Sequence, residues 1–188
     1  MKRGSKPILA VVSLILLAGM SDLQYARYIP KDGELPMAFE YPQDWPLDTE
    51  QGKIEPYRQI RILGPRNNEN SYRSYFIVLR APLQADGKYK SVAAFLKNYK
   101  EHLMRRSEVL SEGKTKLGGM EAQEMLAQYT MPAWHHQDLN APEVPVKTRI
   151  VVASDNNYLY QLMYSADARE FDAHTKTFER LIETFHLP

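Results

Sequence analysis

The chain has 188 residues, no cysteine, 24 Lys+Arg against 23 Asp+Glu, and 44% apolar residues, the size and composition of one ordinary globular domain. A disordered or collagen-like chain is excluded, and a formal charge of +1 with scattered signs argues against a dedicated nucleic-acid binder, which concentrates its cations on one face. The missing cysteines remove disulfide scaffolds, thiolate zinc sites, thiol catalysis and lipoprotein anchoring together.

Residues 1–21 (MKRGSKPILAVVSLILLAGMS) carry Lys2, Arg3 and Lys6 and then an apolar run from Ile8 to Met20. Such a run rises only about 20 Å as a helix, short of a hydrocarbon core about 30 Å thick, so an export signal is favoured over a permanent span. Gly19 and Ser21 are the small residues a signal peptidase inspects, which places the cut between Ser21 and Asp22. An uncleaved amino-terminal anchor is the alternative, and it would be the chain's only membrane contact. Both put the bulk of the chain outside the cytoplasm, in a periplasm or lumen, with the three cations inside. Removal of residues 1–21 leaves 21 Lys+Arg against 23 Asp+Glu.

Residues 22–36 lack periodicity and read as a linker, with the folded domain spanning 37–188. A short strand at 37–42 ends at Pro42, and Trp45 follows as a large core plug. Strands are expected at 58–63 and 72–80, joined by the turn-rich Gly64-Pro65-Arg66-Asn67-Asn68, and the second is apolar on both faces, as in a covered sheet. The period then changes: Val92, Phe95, Leu96, Tyr99 and Leu103 form one stripe of a helix over 91–106 with Ser91 as N-cap. Gly118-Gly119 joins strands 108–117 and 120–130 in a hairpin, and Asp155-Asn156-Asn157 joins 147–154 to 158–164 in another. A closing helix over 169–186 presents Phe171, Phe178, Leu181, Ile182 and Phe185. This order predicts an α+β domain, an antiparallel β-sheet flanked by helices. The long irregular stretch is 131–146, with Pro132, Pro142 and Pro145.

The opening "FEYPQDW" with Phe39, Tyr41, Pro42 and Trp45, the "SVAAFLKNY" helix start at Ser91, "LGGMEA" at 117–122, and "NNYLYQLMYSA" followed by the Phe171-to-Phe185 helix together resemble the PsbP-like branch of the α/β/α sandwich. That family also includes the DcrB envelope proteins and a nuclear-transport factor that binds the Ran GTPase. The resemblance runs over about residues 37–187. It implies an exported, non-enzymatic accessory module that docks on a membrane-associated complex or an envelope protein.

Candidate sites are few. His135, His136 and Asp138 lie in the Pro-flanked loop and are ligands of the kind that hold a divalent ion, with Glu143 as a fourth donor. Against this, adjacent histidines on an extended backbone point to opposite sides, so one ion requires the loop to bend. A metal- or small-ligand-binding periplasmic domain is therefore the second expectation, with no cofactor as the first. No G-x-S-x-G elbow, G-x-G-x-x-G or Walker loop occurs, and no catalytic residue is assigned. Arg58, Arg61, Arg66, Arg73 and Arg80 form the longest one-sign bias. Arg58, Arg61, Arg66 and Arg73 are candidate partner-binding residues for an acidic partner or anionic lipid headgroups, or the run is a solvated guard on edge strands. A two-residue strand period lets only some of them share a face. Tyr158, Tyr160 and Tyr164 read as core.

Overall fold

Residues 23–30, 35–49, 57–102, 107–133 and 142–187 are described by the structure, a computed structural model. The expected export signal and the trio His135, His136 and Asp138 lie outside the described residues. Two-residue alternation builds a long antiparallel sheet. Strands β1 (Tyr25–Tyr28) and β2 (Phe39–Pro42) pair with each other. The main sheet takes β3 (Leu47–Asp48), β4 (Arg58–Arg66), β5 (Arg73–Pro82), β6 (Glu108–Leu117), β7 (Met120–Pro132), β8 (Glu143–Ser154) and β9 (Tyr158–Asp167), in the order β3-β4-β5-β9-β8-β7-β6. Every neighbouring pair is antiparallel. Helix α1 (Val92–His102) carries the chain from β5 to the far edge, and α2 (Thr175–Thr184) closes it.

The two sheet faces are covered separately, which makes three layers. On one face Ile60, Ile62, Phe76, Val78, Leu162 and Tyr164 pack against Phe178, Leu181 and Phe185 of the closing segment, together with Trp45 and Phe39. Burying each of these large side chains is worth about 1.5–3 kcal/mol. On the other face Leu79, Ile150, Val152 and Met163 meet Phe95 and Leu96 of α1. Ser91 caps α1 as the sequence requires, its Oγ accepting from the Ala94 N–H at 3.1 Å. Both expected hairpins are present. Gly118 and Gly119 take φ of 56° and 83° in the β6–β7 turn, a backbone that L side chains resist. Asp155 pins the β8–β9 turn by accepting from the N–H groups of Asn157 and Tyr158, each at 2.7 Å, and from the Tyr160 hydroxyl at 2.7 Å. Burial and that carboxylate push the Tyr160 phenol up to about 12.

Four local expectations differ from what forms. The linker contributes strand β1, and Tyr28 stacks on Phe39 with ring centroids 4.9 Å apart. Four residues with one buried side chain are too short to register as a periodic pattern. Gly64-Pro65 is part of β4 rather than a turn, and the turn falls at Asn67–Ser71. Gly64 lies flat under the Trp45 indole, and Pro65, which has no N–H to donate, sits at the register shift between Leu63 and Arg66. Strands β7 and β8 extend to Pro132 and from Glu143 into the stretch read as irregular, with Met131 opposite Val144. The closing helix begins only at Thr175, after a 3-10 turn at Phe171–His174. It ends at Phe185, whose extended backbone lets His186 bridge to Ala38.

Candidate functional site

The end of the sheet that carries the β4–β5 turn also carries the last residues of β7 and β9 and the first of β8. There, on the α1 side, hydroxyls replace the aliphatic side chains that fill the rest of that face. Thr148 and Ser165 are register partners and both are fully buried. Ser165 Oγ lies 3.0 Å from Thr148 Oγ1 and 2.8 Å from the Tyr72 hydroxyl, and Thr148 Oγ1 donates to the Tyr129 hydroxyl at 3.4 Å. Tyr75 pairs with Ser165 in register, and Tyr99 reaches over from α1 to Met163. Burial, reinforced by neighbouring phenols, pushes Tyr72, Tyr75 and Tyr99 above the ordinary tyrosine range. All three stay protonated at physiological pH. Among the described residues Ser165 faces other hydroxyls rather than a base, so the cluster has the form of a satisfied polar core and not of an activated nucleophile.

Beside it a charged knot joins two loops. Asp167, with its side chain fully buried, accepts from Asn67 Nδ2 at 2.6 Å and from Arg169 through the backbone N–H at 3.0 Å, Nε at 3.0 Å and Nη2 at 2.6 Å. Burial works to raise the Asp167 carboxyl, but these donors together hold it below the usual carboxylate range. Arg169 also forks onto Glu69 through both Nη atoms. Asn67 in turn uses its Oδ1 to accept from the N–H groups of Ser71 and Tyr72, which shapes the β4–β5 turn. The knot thus anchors the β4–β5 turn to the end of β9.

The arginines divide between faces, as the strand period requires. Arg58 pairs with Arg80 in register on the α2 side, where Arg80 Cζ lies 3.4 Å from the Tyr158 ring centroid. Arg61, Arg73 and Arg66, the last opposite Arg73, fall on the α1 side together with Tyr75. Arg61 Cζ is 5.7 Å from the Tyr75 ring. The Nε atoms of Arg61, Arg73 and Arg80 are buried and have no hydrogen-bond partner among the described residues. Of the arginines singled out in the sequence, the sheet brings Arg61, Arg66 and Arg73 to one face and sets Arg58 and Arg80 on the other. Of the metal-loop candidates only Glu143 is described. It opens β8, next to the loop base closed by Ala133 N–H donating to Pro142 O at 2.9 Å. Among the described residues no His, Cys, Asp and Glu gather in a metal-holding group.

The tyrosine–hydroxyl cluster and the Asp167 knot were not picked out from the sequence. Their members come from the β4–β5 turn, β5, α1, β7, β8 and the end of β9, and Asn67 and Asp167 stand a hundred positions apart. No local spacing announces them.

No protein-family model and no curated protein matches the chain. Solved structures do share its fold. Cyanobacterial PsbP (CyanoP) from Synechocystis sp. PCC 6803 aligns with a TM-score of 0.54 at 12% identity, over 90% of this chain and 96% of that one. LpqN, involved in cell envelope biogenesis of Mycobacterium tuberculosis, aligns with a TM-score of 0.59 at 16% identity, over 88% and 91%. The Saccharomyces cerevisiae Ran-binding protein Mog1p aligns with a TM-score of 0.54 at 13% identity, over 88% and 96%. The chain has the PsbP-like α+β fold.

Proposed function

We propose that the chain is an exported, non-enzymatic binding module that docks through the Arg61, Arg66 and Arg73 face on an acidic segment of an envelope or membrane-associated protein. The observation that carries this is the gathering of Arg61, Arg66 and Arg73 on one face, where the Nε groups of Arg61 and Arg73 lack an acceptor among the described residues; the Arg80 Nε, also without one, lies on the other face against the Tyr158 ring. Arg61 and Arg73 are half-buried and Arg66 is exposed, so a carboxylate supplied by a partner can reach the guanidinium ends and make a charge-assisted bond. The surrounding chemistry supports binding over reaction, since the nearby phenols are held protonated and Ser165 is enclosed by hydroxyls. Fold neighbours described as a Ran-binding protein and as a protein of cell envelope biogenesis are consistent with such a role. Export rests on the amino-terminal segment, and among the described residues no helix is long and apolar enough to cross a membrane.

Affinity isolation from solubilised membranes tests the proposal. The parent chain retains a protein partner that the doubly reversed Arg61→Glu/Arg73→Glu chain loses, with circular dichroism and Tm confirming that the variant is folded. Arg58→Glu on the opposite face leaves recovery unchanged. Equal recovery by the parent and the double variant overturns the assignment of that face.

A further inference from the structure

The two edges of the main sheet are treated differently. At one end β3 is two residues long, Leu47–Asp48, and follows Pro46, the usual ways of blunting an edge. At the other end β6 runs ten residues, Glu108–Leu117, and nearly all of it is exposed. Its inner side pairs with β7, and among the described residues nothing pairs with its outer side. Val109 and Leu110, at 38% and 41% exposure, are two of the few large apolar side chains left exposed, and both lie on this strand.

We infer that β6 pairs with β6 of a second copy of this chain, antiparallel about a two-fold axis at Gly113, joining two seven-stranded sheets into one. The occupant follows from the charge pattern. A perpendicular two-fold keeps each face on its own side, so it must place one residue opposite itself. Centred on Glu112 or Lys114 it sets like charges against each other, which is destabilising. Centred on Gly113 it sets Glu112 against Lys114 of the partner twice, and Ser111 against Thr115 of the partner twice. Both charged pairs lie on the α1 side, because Glu112 and Lys114 pair with Met125 and Gln123 of β7 and Glu112 already bonds Lys100 of α1 at 2.7 Å. Leu110 stands in a bulge between Val109 and Ser111, so the regular pairing spans Ser111 to Thr115. Lysines on an edge normally repel a foreign strand; in the Gly113 register Lys114 meets Glu112, no like charges are opposed, and the paired stretch 111–115 stays clear of that bulge. Gly113 suits the axis, since a Cβ built there meets nothing closer than Glu124 Cγ at 3.7 Å.

The absence of native cysteine permits a direct test with the purified full-length chain. Directly opposed residues have Cα atoms about 4.5–5.5 Å apart, within the reach of a disulfide. On mild oxidation Gly113→Cys gives a covalent dimer. Ser111→Cys and Thr115→Cys, each about 13 Å from its own mate, do not bridge alone but bridge when mixed. No bridging by Gly113→Cys, or equal bridging by Ser111→Cys alone, overturns the register. Sedimentation supplies an independent readout. Glu112→Lys and Lys114→Glu each raise the dimer dissociation constant at least tenfold, and the double exchange restores it. Single reversals that sediment like the parent refute the pairing.

Discussion

Gly64 sits in a strand because Trp45, nineteen positions earlier, needs its space, and this contact can be measured as a coupling. An alanine Cβ at position 64 would meet Trp45 Cη2 at 2.6 Å, Cζ3 at 2.7 Å and Cζ2 at 2.9 Å. The indole has no free direction, for it rests on Phe76 at 4.8 Å and edge-on against His174 at 5.1 Å. Overpacking of this kind costs about 1–3 kcal/mol, so Gly64→Ala destabilises by that amount. In a Trp45→Ala chain, itself about 3–5 kcal/mol less stable, the obstruction is gone. The added methyl there stabilises by about 0.5–1 kcal/mol, the usual gain of Ala over Gly in a strand. Urea unfolding of the four chains, followed by circular dichroism, gives the interaction energy of the cycle, expected at about 2–3 kcal/mol. An equal cost for Gly64→Ala in both backgrounds would falsify the packing account.

Other expectations concern charge and pH. Asp167→Asn removes the carboxylate that four donors share; because Arg169 is half exposed and stays hydrated, the loss is about 2–3 kcal/mol in urea unfolding, and a loss under 0.5 kcal/mol contradicts the geometry. Since the folded Asp167 carboxyl is held below its unfolded value of 3.8, its stabilisation is fully present above that pH and disappears as pH falls through the lower folded value, a dependence that Asp167→Asn abolishes. His174 titrates in the other direction. Burial against Trp45 lowers its imidazole below 6.5, opposed by Glu170 and Asp44, so the unfolded state binds the proton more readily and stability falls as pH drops below about 6.5. His174→Phe flattens the Tm profile in that window, and an unchanged slope assigns it elsewhere. Divalent ions added far above any useful dissociation constant leave Tm unchanged, because binding to the native state alone must raise it; a rise that His135→Ala/His136→Ala abolishes restores the metal-loop alternative.

The hairpins were legible because their signals are local: alternation on either side of Gly118-Gly119 or Asp155, and a helical stripe behind Ser91. The antiparallel α+β arrangement followed from their order, and its PsbP-like form from the resemblance of the motifs at 39–45, 91–99, 117–122 and 156–166. What the sequence concealed has partners distant along the chain. Gly64-Pro65 has the composition of a turn, and only the Trp45 ring explains its place in a strand. Tyr72, Tyr129, Thr148 and Ser165 are ordinary strand residues until the register sets their hydroxyls side by side. The arginine run was visible as composition, but which of its members share a face depends on the shift between Leu63 and Arg66.

Photo-crosslinking in intact cells tests the binding-module account most directly. A photoreactive residue at position 66, on the α1-side arginine face, is expected to capture an envelope or membrane-associated protein, while the same probe at position 176, exposed on α2 at the opposite side, captures none. The adduct at 66 disappears when Arg61 and Arg73 are reversed to Glu. An adduct that survives that reversal, or equal capture from position 176, contradicts docking through this face.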